Sequence, residues 1–102
     1  MQMLVDQKRE ELESLCRQHR VRRLELFGSA ATESHGAEPG DLDFLVEFLP
    51  LAPGEHADAY FGLLAGLEVL FARPVDLVMT RAVRNPYFRQ SIDRTRRIVY
   101  AA

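Results

Sequence analysis

With 102 residues and a formal net charge of −2, the chain has room for one compact core and a slightly acidic surface. Its 47% hydrophobic and 27% charged residues mark a soluble globular protein rather than a disordered one, and the acidity argues against bulk electrostatic binding to nucleic acid. The lone Cys16 excludes an internal disulfide and a CxxC zinc site and favours a reducing cytoplasm. No run approaches the roughly 20 apolar residues of a membrane span, and the start, MQMLVDQKREELE, lacks the apolar stretch of a signal peptide.

Taken in chain order, Leu4, Lys8, Leu12, Leu15 and Cys16 recur at helical spacing and predict a helix over residues 4–18. The segment VRRLELF (21–27) predicts a strand, with Leu24 and Leu26 on one face and Arg23 and Glu25 on the other. Gly28 and Ser29 end it, and AATESHGAEPG (30–40) reads as a polar loop. DLDFLVEF (41–48) is the clearest strand: Leu42, Phe44, Val46 and Phe48 share one face, Asp41, Asp43, Leu45 and Glu47 the other.

After the break LPLAPGE, residues 56–72 predict a helix with Ala57, Tyr60, Phe61, Leu64, Leu67 and Phe71 toward the core; Gly62 and Gly66 would let a neighbour pack closely. VDLVM (75–79) predicts a third strand. Asn85-Pro86 is a helix start, with Asn as cap and Pro at the first helical position, and the final helix is expected to run to about Tyr100 with Phe88, Ile92, Thr95 and Val99 on one face. The expected order is α-β-β-α-β-α. It makes an α/β (α+β) fold: a small mixed sheet packed by helices, in a single domain over residues 1–102.

The chemistry concentrates at the strand starts. Alternation puts Asp41 and Asp43 on one face with β-carbons ~7 Å apart. Carboxylates held so close repel, and a divalent cation relieves them; Mg2+ takes oxygen ligands, commonly one or two carboxylates with substrate phosphates. Surface strands also carry such pairs with no metal at all. Asp76 is a third acid in an apolar strand, and all three converge if this strand pairs beside the second; the alternative is that it caps the turn after Arg73-Pro74. Gly28-Ser29, common in turns, also suits a phosphate-gripping one, because a glycine lets backbone N–H groups approach an anion.

The histidines His19, His35 and His56 read as solvated, with contact to nucleotide the alternative for His35 in the polar loop. The clusters Arg20, Arg22, Arg23 and Arg94, Arg96, Arg97 read as solvated faces or as a surface for phosphate or an acidic partner.

In combination these features are more specific. A strand ending Leu26-Phe27-Gly28-Ser29, a polar loop, Asp41-Leu42-Asp43-Phe44-Leu45-Val46, a helix and Val75-Asp76-Leu77-Val78 together resemble the minimal nucleotidyltransferases of the DNA polymerase β-like superfamily. The resemblance spans nearly the whole chain. It implies that Gly28 and Ser29 grip a triphosphate and that Asp41, Asp43 and Asp76 hold two Mg2+ ions, Asp76 also helping to activate the acceptor hydroxyl.

It further implies ATP as the donor and AMP as the group transferred. The implied acceptor is a tyrosine hydroxyl of a HEPN-domain partner, making this chain the cytoplasmic antitoxin of a toxin–antitoxin pair and one half of a hetero-oligomer. The family pattern Gly-Ser-x-Ala-Arg-Gly followed by Ser-Asp-x-Asp is not fully kept. Ala30-Ala31-Thr32 replaces its middle, and Gly40 stands where serine is usual. These departures leave every metal ligand in place but open the alternative of a catalytically impaired antitoxin that neutralises its partner by binding; a separate alternative is a transferase acting on a small molecule such as an antibiotic.

Overall fold

The computed structural model describes residues 2–28 and 41–102. The expectations for Ser29, the loop 30–40, His35 and Gly40 therefore lie outside the described residues. Two helices open the chain, α1 (Gln2–Gln7) and α2 (Arg9–Gln18), where the periodicity predicts one. The step falls at Lys8, whose φ of −111° and ψ of 22° leave helical geometry, although its carbonyl still accepts from the Leu12 N–H. Leu12 and Cys16 are fully buried, as their spacing predicts. Burial pushes the Cys16 thiol up to about 12, leaving it an inert apolar side chain.

Strands β1 (Val21–Phe27) and β2 (Leu42–Phe48) follow, then α3 (Glu55–Phe71), β3 (Val75–Met79), a 3-10 turn over Thr80–Ala82, α4 (Pro86–Thr95) and β4 (Arg97–Ala101). The strands form one mixed sheet in the order β3-β2-β1-β4. β1 runs antiparallel to both β2 and β4, and β2 runs parallel to β3. The α3 crossover makes the parallel pair possible, since parallel neighbours need a long connection.

The expected fold class stands, and a fourth strand is added to it. The last helix ends at Thr95, five residues before the expected end, and Arg96 turns extended at φ −63° and ψ 138°. Ile98, Val99 and Tyr100 favour a strand, and β1 offers them an open edge. Val99 is buried in the strand, and its seven-residue spacing from Ile92 also fits a helix, so the spacing alone could not tell the two apart.

The sheet has a core on each side. On one side Leu24, Leu26, Leu42, Phe44, Val46, Leu77 and Val99 pack against Leu12, Cys16, Leu63, Leu67 and Phe71 from α2 and α3. A bulge between Val21 and Arg23 brings Val21 to the same side. On the other side Ile92 of α4 packs on Phe27 and Leu45, with Val78 and Val83 at the margin. α3 presents Ala59, Leu63, Leu67 and Phe71 to the core, whereas Ala57 and Phe61 are exposed, Phe61 by 63%. Apolar residues surround this helix on every side, so their spacing alone does not fix its phase. Its glycines do admit close neighbours: a Cβ at Gly66 would collide with the Leu15 side chain, and one at Gly62 with His19.

Candidate active site

The acidic residues gather where β2 and β3 begin. In the parallel register Asp43 sits directly beside Asp76, and Leu42 beside Val75; Leu42 N–H donates to the Pro74 carbonyl at 3.1 Å. Neighbouring strands are ~4.8 Å apart, so the two carboxylates leave adjacent backbones. Asp41 lies two residues ahead of Asp43, just outside the strand. Asp41 and Asp76 are exposed and Asp43 is half-buried. Burial, then the negative charges of Asp76 and Asp41, raise the Asp43 carboxyl above the usual aspartate range.

Gly28 closes the third side. It follows Phe27, which pairs with Asp43 across the antiparallel β1–β2 ladder. Its φ of +77° is left-handed, and a Cβ built there would stand 2.6 Å from Asp43 Oδ2. Only glycine meets both conditions without strain. Its N–H donates to Thr95 Oγ1 at 2.9 Å, so this amide is already committed to α4.

Thus Gly28, Asp43 and Asp76 come together and Asp41 adjoins them. All the side-chain donors here are hard carboxylate oxygens, and the middle one carries repulsion that a cation would relieve. That set suits Mg2+, which keeps several positions for water and phosphate. Among the described residues no three acidic, histidine or cysteine side chains close into a ready-made metal cage. The edge offers a partial ligand set, open on one side.

Behind the edge lies an ion-pair network that the alternation pattern did not reveal. Glu25, on the α4 side of β1, is only 4% exposed. Arg96 grips it with two bonds, Nε to Oε2 at 2.7 Å and Nη2 to Oε1 at 2.8 Å, and donates through Nη1 to Asp93 at 2.6 Å. Arg23 stands 3.3 Å from Glu25 and 3.4 Å from Glu47. Hydrogen bonding from Arg96 outweighs burial and holds the Glu25 carboxyl below its usual range. Glu47, on the aspartate face of β2, is thus occupied by arginines well along the strand.

A small mixed sheet with helices on both sides carries an acidic edge at two parallel strand starts, with left-handed Gly28 against it. The chain belongs to the nucleotidyltransferase domain family, whose model matches residues 8–99. It is 36% identical over 81 residues to "Putative protein adenylyltransferase MJ0128" of Methanocaldococcus jannaschii, covering 78% of this chain and 76% of that protein. MJ1379 of the same organism, with the same description, is 32% identical over 75 residues, covering 74% and 73%.

Among solved structures, a "putative minimal nucleotidyltransferase" aligns with a TM-score of 0.69 at 33% identity, over 90% of this chain and 89% of its own. The antitoxin–toxin complex described as "tri-AMPylated Shewanella oneidensis HEPN toxin in complex with MNT antitoxin" aligns with a TM-score of 0.63 over 96% of this chain and 73% of that one; at 18% identity it shows likeness of fold alone.

Proposed function

We propose that this nucleotidyltransferase acts as an antitoxin, moving AMP from ATP onto a tyrosine hydroxyl of a HEPN-type protein partner and so silencing it. The observation that carries the reading is the register of Asp43 beside Asp76 across β2 and β3, with Gly28 pressed against Asp43. In the reaction the acceptor oxygen forms a bond to the α-phosphorus while the bond from that phosphorus to the bridging oxygen of the β-phosphate breaks. Pyrophosphate leaves, and the hydroxyl proton passes to a carboxylate of the acidic edge, for which Asp76 is our assignment.

Asp41, Asp43 and Asp76 would hold Mg2+, which supplies charge neutralisation for the triphosphate and a lowered pKa for the acceptor hydroxyl. Gly28 and Ser29 are our assignment for gripping the phosphates. Because the Gly28 amide is held by Thr95, Gly28 serves there by its missing side chain and left-handed backbone rather than by its own N–H. The names borne by the Methanocaldococcus jannaschii relatives support a protein acceptor. The toxin–antitoxin complexes among the fold neighbours support a HEPN partner.

The test is transfer itself. Purified protein, Mg2+ and α-labelled ATP are incubated with the HEPN-type protein encoded beside it, and labelled sites are mapped by mass spectrometry. The expected result is AMP on a partner tyrosine with wild type and none with Asp43→Asn. Tight complex formation by both forms with no label would instead establish an antitoxin that works by contact. Label appearing only on an added aminoglycoside would establish a small-molecule transferase.

A further inference from the structure

Thr95 ends α4 and lies against the glycine turn of the candidate site. Its hydroxyl is oriented from two directions. It donates back to its own helix, to the Ser91 carbonyl at 3.3 Å and the Ile92 carbonyl at 3.4 Å, a threonine habit in helices. With its one proton shared between these carbonyls, the hydroxyl oxygen accepts from the Gly28 N–H at 2.9 Å, the shortest of its contacts. Beside it, Arg96 holds Glu25 of β1 through two short bonds, so the end of α4 is tied to β1 and to the residue just beyond it by two consecutive residues. Gly28 in turn leaves no room between its backbone and Asp43 Oδ2.

We propose that Thr95 is a positioning residue for nucleotide binding: its hydroxyl fixes the Gly28 peptide plane, and through it the close approach of Gly28 to Asp43. The inference rests on the nucleotide-site reading of Gly28 and Asp43. Without the acceptor oxygen the 27–28 peptide is free to rotate, and Gly28 is no longer held in the left-handed conformation that seats it against Asp43. Thr95 touches no reacting atom and acts only through Gly28.

The experiment measures binding of a non-hydrolysable ATP analogue with Mg2+ by calorimetry, together with hydrogen exchange of the Gly28 amide by NMR. Thr95→Val keeps the shape and removes the acceptor, whereas Thr95→Ser keeps the acceptor. Thr95→Ala is measured alongside, so that the test survives if valine disturbs folding. Thr95→Val and Thr95→Ala should weaken the analogue about tenfold, the effect of one lost hydrogen bond, and should lose Gly28 protection, while Thr95→Ser retains both.

Wild-type affinity in Thr95→Val, or an equal loss in Thr95→Ser, overturns the inference while leaving the nucleotide site standing. A wild-type protein that binds no analogue, with Asp43→Asn no different, removes the nucleotide-site reading and the inference with it.

Discussion

Gly28 is the residue at which backbone and chemistry meet. Its left-handed φ costs any L side chain about 1–2 kcal/mol, and a methyl group there would also overlap the Asp43 carboxylate. Gly28→Ala is therefore expected to lose roughly that much stability and to abolish binding of a Mg2+–ATP analogue, measured by urea unfolding and calorimetry; full binding by a folded variant would refute the placement of the site. Asp43 and Gly28 were both legible in the sequence, because a polar residue in an apolar strand and a glycine after one stand out locally. Their mutual approach was not legible, since it depends on the β1–β2 register, which places Phe27 opposite Asp43. The contacts of Thr95 with Gly28 and of Glu25 with Arg96 were invisible, for each residue looks ordinary on its own element.

At the scale of elements, α4 is held at both ends. Asn85 caps its start, Oδ1 accepting from the Tyr87 and Phe88 amides at 2.8 and 3.3 Å, as the Asn-Pro pair predicts. Arg96 binds its finish to Glu25. Removing Arg96 leaves the buried Glu25 only Arg23, 3.3 Å away, at a cost of up to about 3 kcal/mol.

Arg96→Met should show that loss at neutral pH by chemical denaturation. The sign of its pH dependence follows from Glu25, whose folded-state pKa lies below its unfolded value. The pair's contribution is complete above the unfolded value, about 4.3, and disappears as the pH falls through the lower folded value. The gap between wild type and Arg96→Met should thus be widest near neutrality and shrink in acid; a gap independent of pH would mean that Arg96 acts by packing alone. The end of α4 eluded the sequence because Phe88, Ile92, Thr95 and Val99 satisfy a helical period, while the β1 edge that recruits residues 97–101 is a long-range fact.

For the molecule as a whole, the sheet order explains why the site lies at one edge. The parallel β2–β3 pair brings two strand starts side by side, and the antiparallel β1 delivers its own end, and hence Gly28, to that same edge. The α2–α3 layer buries the large apolar face, leaving the opposite face to α4 and the charge network. Exposed aromatic side chains remain on the outside, Tyr87 at 81% on α4 and Phe61 at 63% on α3. No described helix is long and apolar enough to cross a membrane.

The central claim is that the edge formed by Asp41, Asp43 and Asp76 binds metal with nucleotide. The most direct measurement is a crystal structure with Mn2+ and a non-hydrolysable ATP analogue, read by anomalous scattering. The account predicts anomalous density bridging Asp43 and the analogue's phosphates, with Asp41 and Asp76 among the ligands and Gly28 alongside. Nucleotide bound elsewhere, or bound here with no Mn2+ on these carboxylates, would contradict it.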